Sequence, residues 1–187
     1  MAREMIRQGG RSARIQAAVH EAVDTLSSEV ERNDLTVPMI AERAGVPPST
    51  IYRRWGDLSE LLADVAVRHM RPLTDPDDTG SIANDLETWA LQYMEEMSSK
   101  VGRALLSDVI RTAGEAVYSQ TCCAFTYEQL DAIRARALLR GETPYDTAAI
   151  VDRVVAPIVY HILFGDRGLT PDYCRGLVTS ALADIRG

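Results

Sequence analysis

The chain has 187 residues, of which 46% are hydrophobic and 25% charged, and its formal net charge is −7. This length and composition allow one or two packed domains and exclude disordered and collagen-like chains. No uninterrupted apolar run reaches about 18 residues, and the basic start of the chain lacks the apolar stretch of a signal peptide, so we expect a cytoplasmic protein without a membrane span. Cys122, Cys123 and Cys174 show no CxxC spacing and predict neither a disulfide framework nor a metal site.

The charge is unevenly distributed along the chain. Residues 1–56 contain eight arginines and seven carboxylates, a net charge of +1, so the remaining residues carry −8. Basic residues concentrate at residues 3–14 and at Arg53 and Arg54. Phosphate contacts depend on the local surface rather than on the average charge, so an acidic chain with these two basic spots remains compatible with nucleic-acid binding.

The first two predicted helices follow from apolar spacing and from their end signals. Apolar side chains recur every three or four positions over residues 11–31, which predicts an amphipathic helix. Thr36 and Pro38 are suited to begin a second helix at residues 37–44. Gly45 is suited to end it in the left-handed conformation, which predicts a tight turn at this point.

Two more helices follow before the main loop. The third covers residues 48–55, and the fourth begins after Asp57, whose carboxylate is placed to cap it. Turn-forming residues dominate residues 74–81, so this stretch is predicted to be the loop between the two parts of the protein. Gly56 is the expected hinge between the third and fourth helices.

The rest of the chain continues the helical period, with no strand pattern or repeat. Helices are predicted at residues 82–97, 101–112, 116–139, 146–164 and 171–185. The helix at 146–164 is apolar on more than one side, so other helices must pack against it on all sides. Pro157 is expected to kink it. We therefore predict an all-α fold: an N-terminal three-helix helix-turn-helix domain (residues 1–56) followed by a larger helical ligand-binding and dimerisation domain (residues 57–187).

The third helix has the surface expected of a DNA-recognition helix. Ile51 and Trp55 are spaced to anchor it inward. Its other side chains supply hydroxyl and guanidinium groups suited to phosphates and base edges, although a solvated basic face is the alternative for Arg53 and Arg54 taken alone. The layout of three short helices around a glycine turn is typical of the helix-turn-helix.

Residues 35–55, LTVPMIAERAGVPPSTIYRRW, resemble the signature of the TetR family of transcriptional regulators. In that family an Ile-Ala-x-x-Ala-Gly-Val turn precedes Thr-x-Tyr-x-x-Trp or Phe, and both parts occur here. The resemblance implies a homodimer that binds double-stranded operator DNA. The DNA contacts that we predict are Thr36, Arg43, Pro48, Ser49, Thr50, Tyr52, Arg53 and Arg54, with Arg3, Arg7 and Arg11 as an arm.

Two positions depart from the family pattern. Leu58 stands where a lysine is usual at the start of the fourth helix, and Pro47 replaces a more usual serine. The first departure removes an expected phosphate contact. It supports an alternative function, a helical adaptor that has lost operator binding.

The second half resembles the variable C-terminal domain of the same family. Residues 140–142, 156–160 and 169–173 resemble one branch, in which the last two helices pair with those of a second subunit. A pocket for a small-molecule effector is expected between helices, with core packing as the alternative for each candidate. The candidates are Trp89, Tyr93, Met97, Tyr118, Cys122, Phe125, Tyr127 and His161.

The function that the sequence predicts is a repressor that releases a palindromic operator when the effector binds. Oxidant sensing by Cys122 and Cys123 is an alternative to plain burial. An enzyme is disfavoured because the adjacent Glu95 and Glu96 point about 100° apart on a helix and because no nucleophile motif occurs. No cofactor or metal site is expected, and His161 is assigned to the core or an interface rather than to a metal.

Overall fold

The computed structural model describes residues 7–112, 117–165 and 168–183, with side chains from Gly10 onward. Within these residues the chain is all-α, without a strand. Its α-helices are α1 (Arg7–Glu29), α2 (Val37–Ala44), α3 (Pro48–Trp55), α4 (Leu58–Met70), α5 (Ile82–Ser98), α6 (Lys100–Arg111), α7 (Val117–Leu139), α8 (Thr147–Ile150), α9 (Ala156–Phe164) and α10 (Pro171–Ala183). A 3₁₀ turn (Arg32–Asp34) follows α1, and a π turn (Val151–Val155) joins α8 to α9.

The predicted bounds of α2 and α3 are confirmed, because their end signals act as expected. The Thr36 hydroxyl accepts the N–H of Met39 at 3.5 Å, and Gly45 takes the left-handed conformation with φ 66°. Helix α4 begins after Asp57, whose carboxylate accepts the Glu60 N–H at 2.9 Å. The prediction for α1 was wrong by several residues at its start, where the helix continues back through Gly10 to Arg7.

Apolar side chains form two buried clusters. The N-terminal cluster joins α1, α2, α3 and the first half of α4, and Val19, Ile40 and Ile51 are fully buried in it. The C-terminal cluster joins α5 through α10 and includes the fully buried Leu86 and Ile158. The helix-turn-helix therefore rests on its own core, to which α4 contributes.

The segment Thr147–Phe164 is one continuous rod of α8, the π turn and α9. Pro157 lacks an N–H, and its ring crowds the carbonyl four residues earlier, that of Arg153. The π turn contains Arg153 and widens the backbone there. Where the sequence predicted a kink at Pro157, the structure thus has a π turn immediately before it.

The same rod is long and apolar enough to cross a membrane by length and composition alone, with 33% of its residues buried. This single helix is weak evidence for a membrane span, because core helices of soluble proteins meet the same criteria. Ile150, Val154 and Ile158 lie on its buried side, in the C-terminal cluster.

Two contacts connect the parts of the molecule through α6. Gly102 lies so close to the end of α5 that a Cβ atom there would lie 2.2 Å from the Glu96 carbonyl oxygen. At the other end of α6, the buried Asp108 forms an ion pair with Arg32 of the 3₁₀ turn. Helix α6 therefore contacts both the C-terminal cluster and the helix-turn-helix.

Candidate functional site

Helix α3 presents a polar face to solvent. Ile51 and Trp55 are buried, as predicted, and they hold the helix against the N-terminal cluster. Two pairs of exposed residues, about one helical turn apart, form what we call the recognition face: Pro48 with Ser49, and Tyr52 with Arg53. The Tyr52 side chain is 48% exposed, which is unusual for a large ring and leaves its hydroxyl accessible.

Arg53 is the charged member of the recognition face. Among the described residues it forms no ion pair or hydrogen bond, so its guanidinium is available to an anion. Thr50 is half-buried beside it, and Thr36 lies exposed at the start of α2. Such an arrangement suits phosphate and base-edge contacts in a major groove.

Asp64 of α4 fixes the orientation of α3, a role that the sequence did not reveal. Its Oδ2 accepts the indole N–H of Trp55 at 2.7 Å and lies 2.9 Å from Nε2 of the buried His20. Gln16 donates to the same oxygen at 3.3 Å. Burial raises the pKa of Asp64, but the hydrogen bonds from His20 and Trp55 outweigh it, so the pKa lies below its usual value.

Two predicted DNA contacts, Arg43 and Arg54, lie on the surface but are bonded to other side chains of the protein. Arg43 pairs with Glu29 through two hydrogen bonds of 3.0 and 2.6 Å. Arg54 turns back to α1, where it donates to the Ser12 hydroxyl at 2.7 Å and to the Gln16 amide oxygen at 2.5 Å. Each would have to leave these partners to reach DNA, so Arg53 and Tyr52 are the better-placed contacts.

The predicted N-terminal arm lies only partly within the described residues. Arg3 and the side chain of Arg7 lie outside them. Arg11 is exposed on the first turns of α1, so it belongs to a helix and not to an extended arm. Because Arg54 contacts Ser12, the start of α1 lies beside the end of α3 and adds positive charge there.

A cavity of about 630 Å³ lies in the C-terminal half between α4, α5 and α7. We call it the C-terminal cavity. Of the eight predicted ligand residues, five line it: Trp89, Tyr93, Met97, Cys122 and Phe125. The lining residues that the sequence did not predict as ligand contacts are His69, Met70, residues 71–77, Gln92, Glu96, Thr126 and Gln129.

The predicted interdomain loop covers this cavity, because side chains from α5 and α7 hold it in place. Gln92 donates to the Asp77 carboxylate at 3.2 Å, and Gln129 donates to the Thr74 carbonyl at 3.3 Å. Arg136 donates to the Pro76 and Asp77 carbonyls at 2.7 and 2.8 Å. The loop is therefore a wall of the cavity as well as a connection.

Arg140 and Glu142, in the segment that resembled one family branch, help to hold the same loop. Arg140 contacts the carboxylates of Asp78 and Asp85 at 2.8 Å each, and Glu142 accepts the N–H of Ile82 at 2.9 Å. Asp85 also accepts the Thr79 hydroxyl at 2.6 Å. This network ties the loop to the start of α5 and the end of α7.

Three predicted ligand residues do not line the C-terminal cavity. Tyr127 lies two positions after Phe125, a rotation of about 200° around α7 that turns it away. Tyr118 lies nearer the start of α7, beyond the cavity wall. His161 contacts α10 instead, with its Nε2 3.1 Å from the Tyr173 hydroxyl, so the expectation of a core or interface histidine describes it better.

Cys122 is a wall residue of the cavity, and its Sγ lies 3.7 Å from the Met70 sulfur. Burial, and to a smaller extent the neighbouring Cys123, raises the pKa of the Cys122 thiol to about 11. A thiol with this pKa is protonated at neutral pH and is a poor nucleophile, which disfavours oxidant sensing at Cys122. Burial likewise raises the pKa of Tyr93 to about 12, so it is a neutral hydrogen-bonding group of the wall.

The two halves of the chain match two family models. Residues 32–65 match the model described as "Bacterial regulatory proteins, tetR family". Residues 76–181 match the one described as "Tetracyclin repressor-like, C-terminal domain". The recognition face thus lies in the first matched region, and nearly all of the cavity wall lies in the second or just before it.

Relatives and solved structures agree with these matches. The HTH-type transcriptional regulator AqdR of Rhodococcus erythropolis is 27% identical over 140 residues, which cover 73% of this chain and 68% of that protein. The uncharacterized HTH-type transcriptional regulator YdeS of Bacillus subtilis is 24% identical over 176 residues, 90% and 88% of the two chains. The crystal structure of the TetR family transcription regulator SCO0332 superposes with a TM-score of 0.64 at 22% identity, covering 92% of this chain and 96% of that one. At 22% identity, this structural similarity shows the fold alone.

These relatives are transcriptional regulators and not enzymes. The recognition face on α3 is the DNA-binding element expected of such a protein. The chain belongs to the TetR family and is a helix-turn-helix transcriptional regulator.

Proposed function

We propose that this regulator is a cytoplasmic homodimeric repressor that binds a palindromic operator through α3 and releases it when a small molecule occupies the C-terminal cavity. The observation that carries the proposal is the recognition face. Its polar residues are exposed and its Arg53 is unpaired among the described residues, while buried Ile51 and Trp55 fix the helix from behind. Hydroxyl and guanidinium groups presented on a helix that is anchored from behind are suited to phosphate and base-edge contacts.

A dimer is supported by the outer surface of α9. Tyr160, Leu163 and Phe164 form an exposed apolar strip, with side chains that are 53%, 38% and 68% accessible. The Tyr160 and Phe164 rings lie 4.8 Å apart. A second copy pairing through α8 to α10 would bury this strip and form a four-helix interface. It would also explain why a helix apolar on several sides is only partly covered in one chain.

Coupling between cavity and DNA is supported by the contacts of α5 and α6. Trp89, Tyr93 and Met97 of α5 line the cavity, and Gly102 packs the start of α6 against the end of α5. Helix α6 then meets the helix-turn-helix at Arg32 through Asp108. A ligand that shifts α5 would therefore shift α6 and change the separation of the two recognition helices, which must match successive major grooves about 34 Å apart. Coupling of about 1 to 3 kcal/mol would lower operator affinity roughly 5- to 150-fold.

The alternative, an adaptor that has lost operator binding, is favoured only by Leu58. This residue is half-buried and packs against the N-terminal cluster, so it contributes to the core in place of a phosphate contact. Other contacts remain available on the recognition face. The alternative predicts no sequence-selective DNA binding.

The direct test is the affinity of Arg53→Ala for a DNA site obtained by selection, measured by fluorescence anisotropy at several salt concentrations. We expect weaker binding and a salt dependence reduced by about one counterion. Lys100→Ala is the matched control, because it removes one positive charge from α6 and should leave affinity nearly unchanged. Equal effects of the two variants would contradict the assignment of α3 as the recognition helix.

A further inference from the structure

The C-terminal cavity combines an aromatic wall with acidic groups. The rings of Trp89 and Tyr93, one turn apart on α5, stack with centroids 5.3 Å apart and planes 19° apart. Phe125 and Met97 add further apolar surface to the wall. Such an apolar surface suits the bulky body of a drug-sized molecule. The volume of about 630 Å³ also fits, since pockets for these ligands have volumes of about 300 to 1,000 Å³.

The charges around the cavity are predominantly negative. Among its described lining residues, Asp75, Asp77 and Glu96 are acidic, and Arg71 carries the opposite charge. His69 also lies in the wall, but its Nε2 is 2.7 Å from Asp24, outside the cavity. The guanidinium of Arg136 lies against the Asp77 carbonyl and reduces the field of that carboxylate. Asp75 and Glu96 are exposed and have no ion-pair partner among the described residues, so their charges remain available to a bound cation.

We propose that the effector is a lipophilic organic cation, with an aromatic or branched apolar body and a positive charge that is permanent or present at neutral pH. This inference rests on the proposed function, because it takes the C-terminal cavity to be the effector site. The stacked rings of Trp89 and Tyr93 line the cavity and supply an aromatic wall against which a cation is stabilised by the ring quadrupole, and Asp75 and Glu96 attract it through charge. A lipophilic anion would instead meet three carboxylates and one guanidinium, that of Arg71, all of them exposed.

Two probe ions of the same shape and opposite charge separate charge from apolar fit. Binding of tetraphenylphosphonium and tetraphenylborate to the full chain is measured by calorimetry in a sodium buffer. We expect the cation to bind at least about tenfold more tightly than the anion, as several partly exposed charges and a cation–π contact would give.

Glu96→Gln is expected to reduce this preference about threefold or more. Glu95→Gln is its matched control, because Glu95 is the preceding residue on α5, is also exposed, and is absent from the cavity wall. It changes the net charge of the protein by the same amount and should leave the preference unchanged. Equal binding of the two ions, tighter binding of the anion, or equal effects of the two variants would overturn the inference.

Operator binding without either ion is measured on the same preparation, so that two kinds of failure are distinguishable. A protein that binds its operator but neither ion would refute the cationic effector while leaving the DNA-binding function intact. A protein that prefers the cation but binds no DNA would support the charge preference and refute the repressor function.

Discussion

Replacing Gly102 with alanine should destabilise the protein, against the usual effect of removing glycine from a helix. A Cβ atom at this position would lie 2.2 Å from the Glu96 carbonyl oxygen and 2.6 Å from the Met97 Cα, whereas ordinary contacts are 3.4 to 4 Å. Because both neighbours are backbone atoms, α5 and α6 would have to separate by roughly 1 Å. Overpacking of this kind costs typically about 1 to 3 kcal/mol.

We expect a net loss of about 2 kcal/mol, since the better helix propensity of alanine offsets up to about 1 kcal/mol. For a protein of this size that loss lowers Tm by roughly 4 to 8 °C. The assay is thermal unfolding followed by circular dichroism at a fixed protein concentration. Gly10→Ala is the control, because its Cβ would meet only the Arg14 side chain at 3.8 Å, and its Tm should be unchanged or higher. A Tm for Gly102→Ala at or above the wild-type value would refute the close α5–α6 contact and the coupling route built on it.

Three further predictions concern the interdomain ion pair, the support of α3 and the dimer surface. Arg32→Ala leaves Asp108 buried without its partner and should lower the free energy of unfolding in urea by about 3 kcal/mol, more than Asp108→Ala does. The double variant should be at least about 1 kcal/mol more stable than the sum of the two single losses predicts. Strict additivity of the two losses would argue against the ion pair. The lowered pKa of Asp64 means that its contribution to the free energy of unfolding is present above about pH 4 and is lost as the pH falls through the folded-state pKa. The stability difference between wild type and Asp64→Asn should therefore shrink on acidification below pH 4, and a constant difference would exclude this role. Phe164→Glu should convert the dimer to a monomer in sedimentation. Leu139→Glu, which also changes an exposed apolar residue, should leave the dimer intact. If both variants remain dimeric, the interface does not include Phe164.

The helix-turn-helix was predictable from the sequence because its limits depend on local chemistry. Thr36 as a cap, Gly45 in the left-handed conformation and Asp57 as a second cap act within four residues of themselves, so their effect can be inferred without knowing the fold. The inward anchors Ile51 and Trp55 follow from helical spacing in the same way.

The rest of the site depends on contacts between residues distant in sequence. Nothing in the sequence pairs Asp64 with Trp55 or Arg54 with Ser12. The first of these contacts holds α3, and the second holds an arginine away from the recognition face. The cavity was only partly predictable, because aromatic residue type alone cannot distinguish Phe125 from Tyr127. Their separation follows from the rotation of α7. Two of the three acidic wall residues, Asp75 and Asp77, come from a loop that the sequence marked only as a connection.

The most direct test of the account is a selection of bound sequences from random double-stranded DNA with the full chain at low salt. The account predicts enrichment of an inverted repeat whose half-sites are centred about one helical turn apart or a multiple of it, bound by two copies of the chain. Enrichment of no sequence, by a protein that is folded and dimeric, would contradict operator recognition and favour the adaptor function.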